Sequence, residues 1–441
     1  MSRDKGRRVA ITGLGLVTPV GNTTEAFREA LTTGTSGVRH LEELPAQRLD
    51  MPFAAPARDF TGQIDDFGPL EKEQKRSIRK GIKVMCREIQ MGVAAAQLAL
   101  SDAGLRAGDY DADRTGVLFG CDYILSGPEE FVDAMSSCRN ADKHFDFGKW
   151  ASHGIPKMTP LWLLKFLPNM PASHIAIYND LRGPNNSLTM REASANAAIG
   201  EAAHLIARGS ADRMIAGATG TRVHPLRTLH VVLQEEIARE GDNPAAACRP
   251  FDKSRCGMVL GEGAGAVVLE SLEAAESRNA IILGEVVGAG SSAVIDSRGV
   301  GDAREAVLIA TRRAIENARL DPADIGHVHA HGLATRHGDA QEAQAISHLF
   351  GSRKEPVPVM AVKSYLGNTG AGCGVIELIA SVMALQKGCL FPVLNYQTPD
   401  PDCPIHVASS NQVPAGDSFV NVNVTPLGQA SAVVVQRLAS F

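Results

Sequence analysis

His327, His329 and His331 alternate along a stretch that reads as a β-strand, which would set three imidazoles on one face. Imidazoles so placed bind zinc when a carboxylate joins them, so one chemistry open to the chain is that of a metal-dependent hydrolase. The competing reading is that these rings satisfy hydrogen bonds inside a core. Lys72, Lys75, Arg76, Arg79, Lys80, Lys83 and Arg87 recur at three- and four-residue steps and would line one positive stripe of a helix. Such a stripe is either a docking face for an acidic partner or a solvated surface. Gly13-Leu14-Gly15 follows a strand-like run, but Thr18 stands where a third glycine belongs, so a nucleotide-binding turn is rejected. The eight cysteines form no C-x-x-C pair, which fits a reducing cytoplasm, and Cys373 reads as a packing residue.

These residues need a scaffold of some size, and 441 residues call for two domains or two fused halves. Apolar residues at 44% and charged residues at 21% are ordinary for a globular chain. A formal charge of -5 and 5% aromatic residues disfavour nucleic acid as a partner. The basic opening, with Arg3, Lys5, Arg7 and Arg8, runs into a short β-like segment rather than a signal-peptide core, and no apolar run approaches bilayer-spanning length, so a cytoplasmic protein without membrane insertion is expected. Hydrophobic periodicity predicts a strand over 9–12 with a loop at 13–15, a helix over 88–100, a strand over 116–119, irregular structure over 125–170, a helix over 193–208 and a strand over 214–216. The same grammar repeats with strands over 265–269 and 281–287, a helix over 303–318, a strand over 327–330, a helix over 374–386 and a last strand over 432–436. Two α/β halves follow, 1–271 and 272–441.

Several short motifs carry a resemblance. They are Ile11-Thr12-Gly13-Leu14-Gly15, Arg182-Gly183-Pro184, Arg249-Pro250-Phe251-Asp252 leading to Gly261-Glu262-Gly263-Ala264-Gly265, Ala330-His331-Gly332, Gly338-Asp339 with Glu342, and Lys363-Ser364. On these the chain resembles, over nearly its whole length, the elongating β-ketoacyl-carrier-protein synthases of the thiolase superfamily. The resemblance implies an α/β thiolase-like fold of five αβαβα layers built from two related halves. It further implies an acyl carrier protein whose phosphopantetheine arm brings the substrate, no permanently bound cofactor, and either a homodimer or a heterodimer with an active ketosynthase.

The departures matter as much. The family's acylated cysteine falls at Glu192, nine residues after Gly183 and eight before Gly200. Its first histidine matches His331, its second falls at Asn368, its lysine at Lys363, and the acid paired with that lysine at Glu377. Of two threonines that touch the pantetheine, Thr335 is kept and Leu333 replaces the other. The glycine-rich segment of the oxyanion wall becomes Asn421-Val422-Asn423-Val424. The family's carrier-docking segment covers Arg79, Lys80, Lys83 and Arg87, with Val84 at a position that is basic in the family.

Thioester exchange needs a soft nucleophile that forms and releases an acyl group, and a helix N-terminus favours a thiolate for that task. A carboxylate is no substitute. The same dipole favours an ionised Glu192 and burial a neutral one; if ionised, it would repel a malonyl carboxylate and hold His331 protonated. The chain is therefore expected not to condense malonyl units alone but to partner an active synthase as a chain length factor does. The alternative is that Glu192 and His331 act as an acid/base pair on carrier-bound acyl chains.

Overall fold

The computed structural model describes residues 6–438; Arg3 and Lys5 of the basic opening lie outside the described residues. The described residues form thirteen strands: β1 (Val9–Val17), β2 (Arg39–His40), β3 (Phe53–Ala55), β4 (Thr115–Cys121), β5 (Asn185–Thr189), β6 (Arg213–Thr221), β7 (Leu260–Ser271), β8 (Gly284–Ala293), β9 (His327–His329), β10 (Pro358–Met360), β11 (His406–Val407), β12 (Ser418–Val424) and β13 (Gln429–Gln436). Their order is β11-β10-β9-β12-β13-β8-β1-β7-β6-β4-β5, with β2 and β3 attached beside β7. Among the described residues, one set of strands joins the other where Ala10 and Ile11 of β1 pair with Glu285 and Gly284 of β8.

Two apolar helices rich in small residues, Ser194–Ala207 and Cys373–Lys387, pack against each other between the two sets of strands. Small side chains on every face let each helix lie close to a sheet and to its neighbour at once. Outside them, the helix Arg87–Asp102 covers β1 and β7, while Ala303–Ala318 covers β8 and β13 and packs against Arg336–Phe350. The result is the thiolase-like five-layer arrangement expected.

Three sequence expectations are corrected. Gly13-Leu14-Gly15 is not a loop, because β1 runs on to Val17. These glycines admit the helix Arg87–Asp102: a Cβ at Gly15 would stand 2.1 Å from the Ala95 carbonyl oxygen, and one at Gly13 2.4 Å from that of Ala99. The strand expected over 281–287 is β8, which starts at Gly284, and Ile281 is an exposed apolar residue before it. Finally, one apolar run does approach bilayer length: Gly370–Lys387 has 18 residues with a mean hydropathy of 1.2, and 89% of it is buried in the protein. It is a central core helix.

Candidate functional site

The tip of the helix Ser194–Ala207 is built to hold one side chain still. Ser194 accepts from the Met190 amide (2.8 Å) and donates to the Cys121 carbonyl (3.1 Å), while Ser431 of β13 donates to the Ala193 carbonyl (2.7 Å). Arg191 has a left-handed backbone, φ 51°, a conformation that costs a non-glycine residue roughly 1–2 kcal/mol. Glu192 sits in this turn with no solvent exposure. Its Oε1 accepts from the Arg222 guanidinium and from Asn368 Nδ2 (3.3 Å), and its Oε2 lies 3.4 Å from Arg191 Nε. Burial alone would push the carboxyl up; the charges of Arg222 and Arg191 outweigh it and hold Glu192 well below the usual carboxylate range. The residue is ionised.

On the other side of the site, Lys363 is held protonated against the effect of burial by its ion pair with Glu377. It donates to the His331 carbonyl (2.7 Å) and stands 3.0 Å from His331 Nδ1. Asn423 donates to Glu377 (2.7 Å) and also lies 3.0 Å from Nδ1. Two donors on Nδ1 leave the ring proton on Nε2, a buried N–H without a protein partner. Burial first, then the Lys363 charge, push His331 well below its ordinary value, so the ring is neutral although Glu192 pulls the other way. The expectation that an ionised Glu192 holds His331 protonated is thus overturned. No hydrogen bond joins the two; Arg222 and Asn368 take the Glu192 oxygen instead.

The other candidate residues divide. Asn368 reaches Glu192 and also accepts from the Gly370 amide (3.0 Å) and the Cys373 thiol (3.3 Å). Burial pushes that thiol up to about 11, which suits a packing residue. Asn421 is turned to structural work, donating to Asn196 (2.8 Å) and to the Gly374 carbonyl (2.7 Å), so the wall asparagine that touches His331 is Asn423. Leu333 packs against the cluster containing Val231, Met258 and Leu260, and Met258 in turn touches Asn368. Thr335 begins the helix Arg336–Phe350, and its carbonyl accepts from Arg255 (3.0 Å).

His327, His329 and His331 do not form a metal centre. β9 ends at His329, and the two strand histidines spend every ring nitrogen on neutral hydrogen bonds. The Val362 amide donates to His329 Nε2 (3.3 Å), so its Nδ1 donates to Ser381 Oγ (2.8 Å). That hydroxyl can then donate to His327 Nε2 (3.1 Å), and His327 Nδ1 donates to the Ala415 carbonyl (2.7 Å). Burial pushes His327 down to about 4, in keeping with a neutral ring. Among the described residues no group of three or more His, Cys, Asp or Glu is placed to hold a metal ion.

The basic residues are divided between two helices and the tight turn that joins them. The helix Lys72–Gly81 carries exposed Arg79 and Lys80, and a tight turn, Ile82–Val84, carries exposed Lys83. Arg87 starts the next helix and, with its side chain 39% exposed, donates to Glu262 (2.7 Å) and to the carbonyls of Ala57 (2.8 Å) and Phe60 (3.0 Å).

Arg222, which follows β6, belongs to none of the motifs and has no local signal of its role. The signal available was indirect: an acid at a buried helix tip requires a counter-charge, and arginines close to a core strand are where to look.

Residues 6–275 match the family described as Beta-ketoacyl synthase, N-terminal domain, and residues 283–397 its C-terminal domain. The 3-oxoacyl-[acyl-carrier-protein] synthase 2 of Synechocystis sp. is 33% identical over 405 residues, which is 91% of this chain and 91% of the relative. Among solved structures, a beta-ketoacyl synthase from Burkholderia phymatum STM815 matches with a TM-score of 0.83 at 29% identity, covering 98% of this chain and 100% of that one. The ishigamide ketosynthase/chain length factor matches with a TM-score of 0.81 at 25% identity, again over 98% and 100%. Motifs, layers and both family matches agree, and the chain belongs to the β-ketoacyl synthase family.

Proposed function

We propose that this chain is a non-condensing β-ketoacyl synthase homologue that works beside an active synthase, as a chain length factor does, on acyl groups borne by an acyl carrier protein in fatty-acid or polyketide-type assembly. The observation that carries this is the ionised Glu192 at the nucleophile's position, clamped between Arg222 and Arg191. A carboxylate cannot pass an acyl group on through a thioester, and one made so weakly basic is also a poor general base, since proton transfer is best served near the operating pH. The acid/base reading of Glu192 and His331 therefore has little support. Its one favourable feature is the free Nε2–H of His331, which could donate to a carbonyl oxygen.

The partner role is supported by the outer edge of β5, which ends the sheet and has no strand beside it among the described residues. Ser187 ties that strand to the 125–170 segment through the Pro168 carbonyl (3.1 Å), and this segment exposes Phe147, Leu161 and Leu163. Arg79, Lys80 and Lys83, with the part-exposed Arg87 beside them, are the residues we assign to docking an acidic carrier. The halves 1–271 and 272–441 are the units we assign to the fold.

The test is to incubate the protein with acyl- and malonyl-loaded carrier protein, alone and with an active synthase, and to follow intact masses. Extension, or a change in product length, only in the mixture is expected. Chain extension by the isolated protein, with an acyl adduct at residue 192, overturns the proposal.

A further inference from the structure

The site's most unusual feature lies behind Glu192. From its carboxylate a run of buried charges leads inward with alternating sign. Arg222 pairs with Glu192 and lies 3.6 Å from Asp122; Asp122 lies 3.6 Å from Arg227; and Arg227 pairs with Glu88 at 3.0 Å. The five come from different places: the helix tip, the ends of β6 and β4, the helix Pro225–Gln234 and the helix Arg87–Asp102. None has more than 4% of its surface exposed, and the two arginines are among the largest fully buried side chains of the protein. Arg227 also stacks over the Tyr123 ring, 4.6 Å from its centre.

Several polar atoms along this run make ion-pair contacts at most and no hydrogen bond within the protein: Glu192 Oε2, Arg222 Nε, Asp122 Oδ2 and Arg227 NH2, with Arg191 Nε and His331 Nε2 beside them. Donors and acceptors occur together, so residual space there suits water, not hydrocarbon. Nor is the run explained as a stabilising device, because buried ion pairs do little better than well-packed apolar residues of the same size. Its distinctive effect is exclusion: anything apolar that enters must leave a guanidinium or a carboxylate buried and unpaired.

We propose that Arg222, Asp122 and Arg227 fill with charge the interior next to position 192, so that this chain cannot take an acyl chain into its own core even when a thiol stands at that position. The claim rests on the non-condensing reading and deepens it: the loss of the nucleophile is accompanied by loss of the space its acyl group would need. These three side chains are specificity determinants, and restoring the sulfur alone does not restore loading.

The experiment compares Glu192→Cys with the same variant carrying Arg222→Ala, Asp122→Asn and Arg227→Ala, each checked for folding by circular dichroism. Acetyl- and octanoyl-coenzyme A are the probes, read by intact mass, and iodoacetamide reports whether the new thiol can be reached. In the loading step the new sulfur bonds to the acyl carbon, the bond to the coenzyme A sulfur breaks, and coenzyme A leaves as its thiol, taking the proton the protein thiol gave up. The expected result is at least tenfold faster octanoyl loading when the charges are removed, with a much smaller gain for acetyl. Equal octanoyl loading of the two variants, or none in either while iodoacetamide labels both, overturns the proposal. A second measurement needs no thiol: a dansyl-labelled dodecyl probe should bind Glu192→Gln/Arg222→Ala/Asp122→Asn/Arg227→Ala at least tenfold more tightly than the unaltered protein, and equal binding overturns the proposal. Octanoyl loading of Glu192→Cys alone would sink this inference and leave the partner role intact, whereas chain extension by the unaltered protein would sink the partner role first.

Discussion

Replacing Glu192 by Gln keeps the shape of the side chain and removes its charge, which tests the clamp directly. In the folded protein Arg222 is 1% exposed, and its one close carboxylate is Glu192, with Asp122 next at 3.6 Å; Arg191 keeps Glu235 at 2.6 Å. Removing one partner of a buried pair costs about 3–5 kcal/mol; with Asp122 still near and an amide oxygen left to accept from Arg222, about 2–3 kcal/mol is expected here. The pH dependence fixes the sign. Because Glu192 is held below its unfolded value of about 4.3, its contribution is fully present above that pH and is lost as pH falls toward the folded value. Urea unfolding of both proteins should therefore show a constant gap between pH 5.5 and 8 (roughly the range in which an unfolded carboxylate stays ionised), and a gap that narrows below about pH 4. Replacing Arg222 by Met in the Glu192→Gln background should recover part of the loss. Equal stability at neutral pH, or a gap that grows on acidification, would mean that Glu192 is a neutral acid and that the clamp reasoning is wrong.

Reversing charge in the docking stripe, Lys80→Glu with Lys83→Glu, should weaken carrier binding roughly tenfold at low salt and much less at high salt, measured by titration at two ionic strengths, because exposed charges act mainly through screened attraction. Arg87→Ala should lower stability as well, since it strips the buried Glu262 of its charged partner and leaves it only the Ala57 amide and the Thr221 hydroxyl; unfolding midpoints report this effect. Elemental analysis should find no stoichiometric zinc, and a chelator should leave the melting temperature unchanged, because His327 and His329 have no free ring nitrogen. Gly15→Ala should cost about 1–3 kcal/mol or prevent folding, as overpacking against backbone does; unchanged stability would refute the close-approach account of β1.

Much of this was legible in residue order, and the omissions have physical causes. The helices around Ala198 and Leu378 declare themselves by long apolar stretches of small residues, and His331, Lys363 and Asn368 by motifs that survive in place. Gly13 and Gly15 misled because glycine marks both turns and tight contacts, and only the neighbouring Ala95 and Ala99 decide between them. Asn421 and Asn423 lie on the same face of β12, and their order gives no hint of which one reaches the imidazole. Arg222 and Arg227 were invisible for a different reason. An arginine is ordinarily a surface residue, and its burial is set by Asp122 and Glu88, far away along the chain.

The narrow join between β1 and β8 gives the asparagines of the last strands a mechanical meaning. With two residue pairs holding the sheets edge to edge, Asn196 adds a side-chain link between the central helix and the last strands, donating to Asn423 Oδ1 at 2.9 Å and accepting from Asn421 at 2.8 Å, while Ser431 fastens the turn above. These contacts work as a key in a keyway. A slip of one residue between the halves would strip them all together and swing Asn423 off the imidazole, so a misassembled molecule would be marked by disturbance at its centre before any change at its rim.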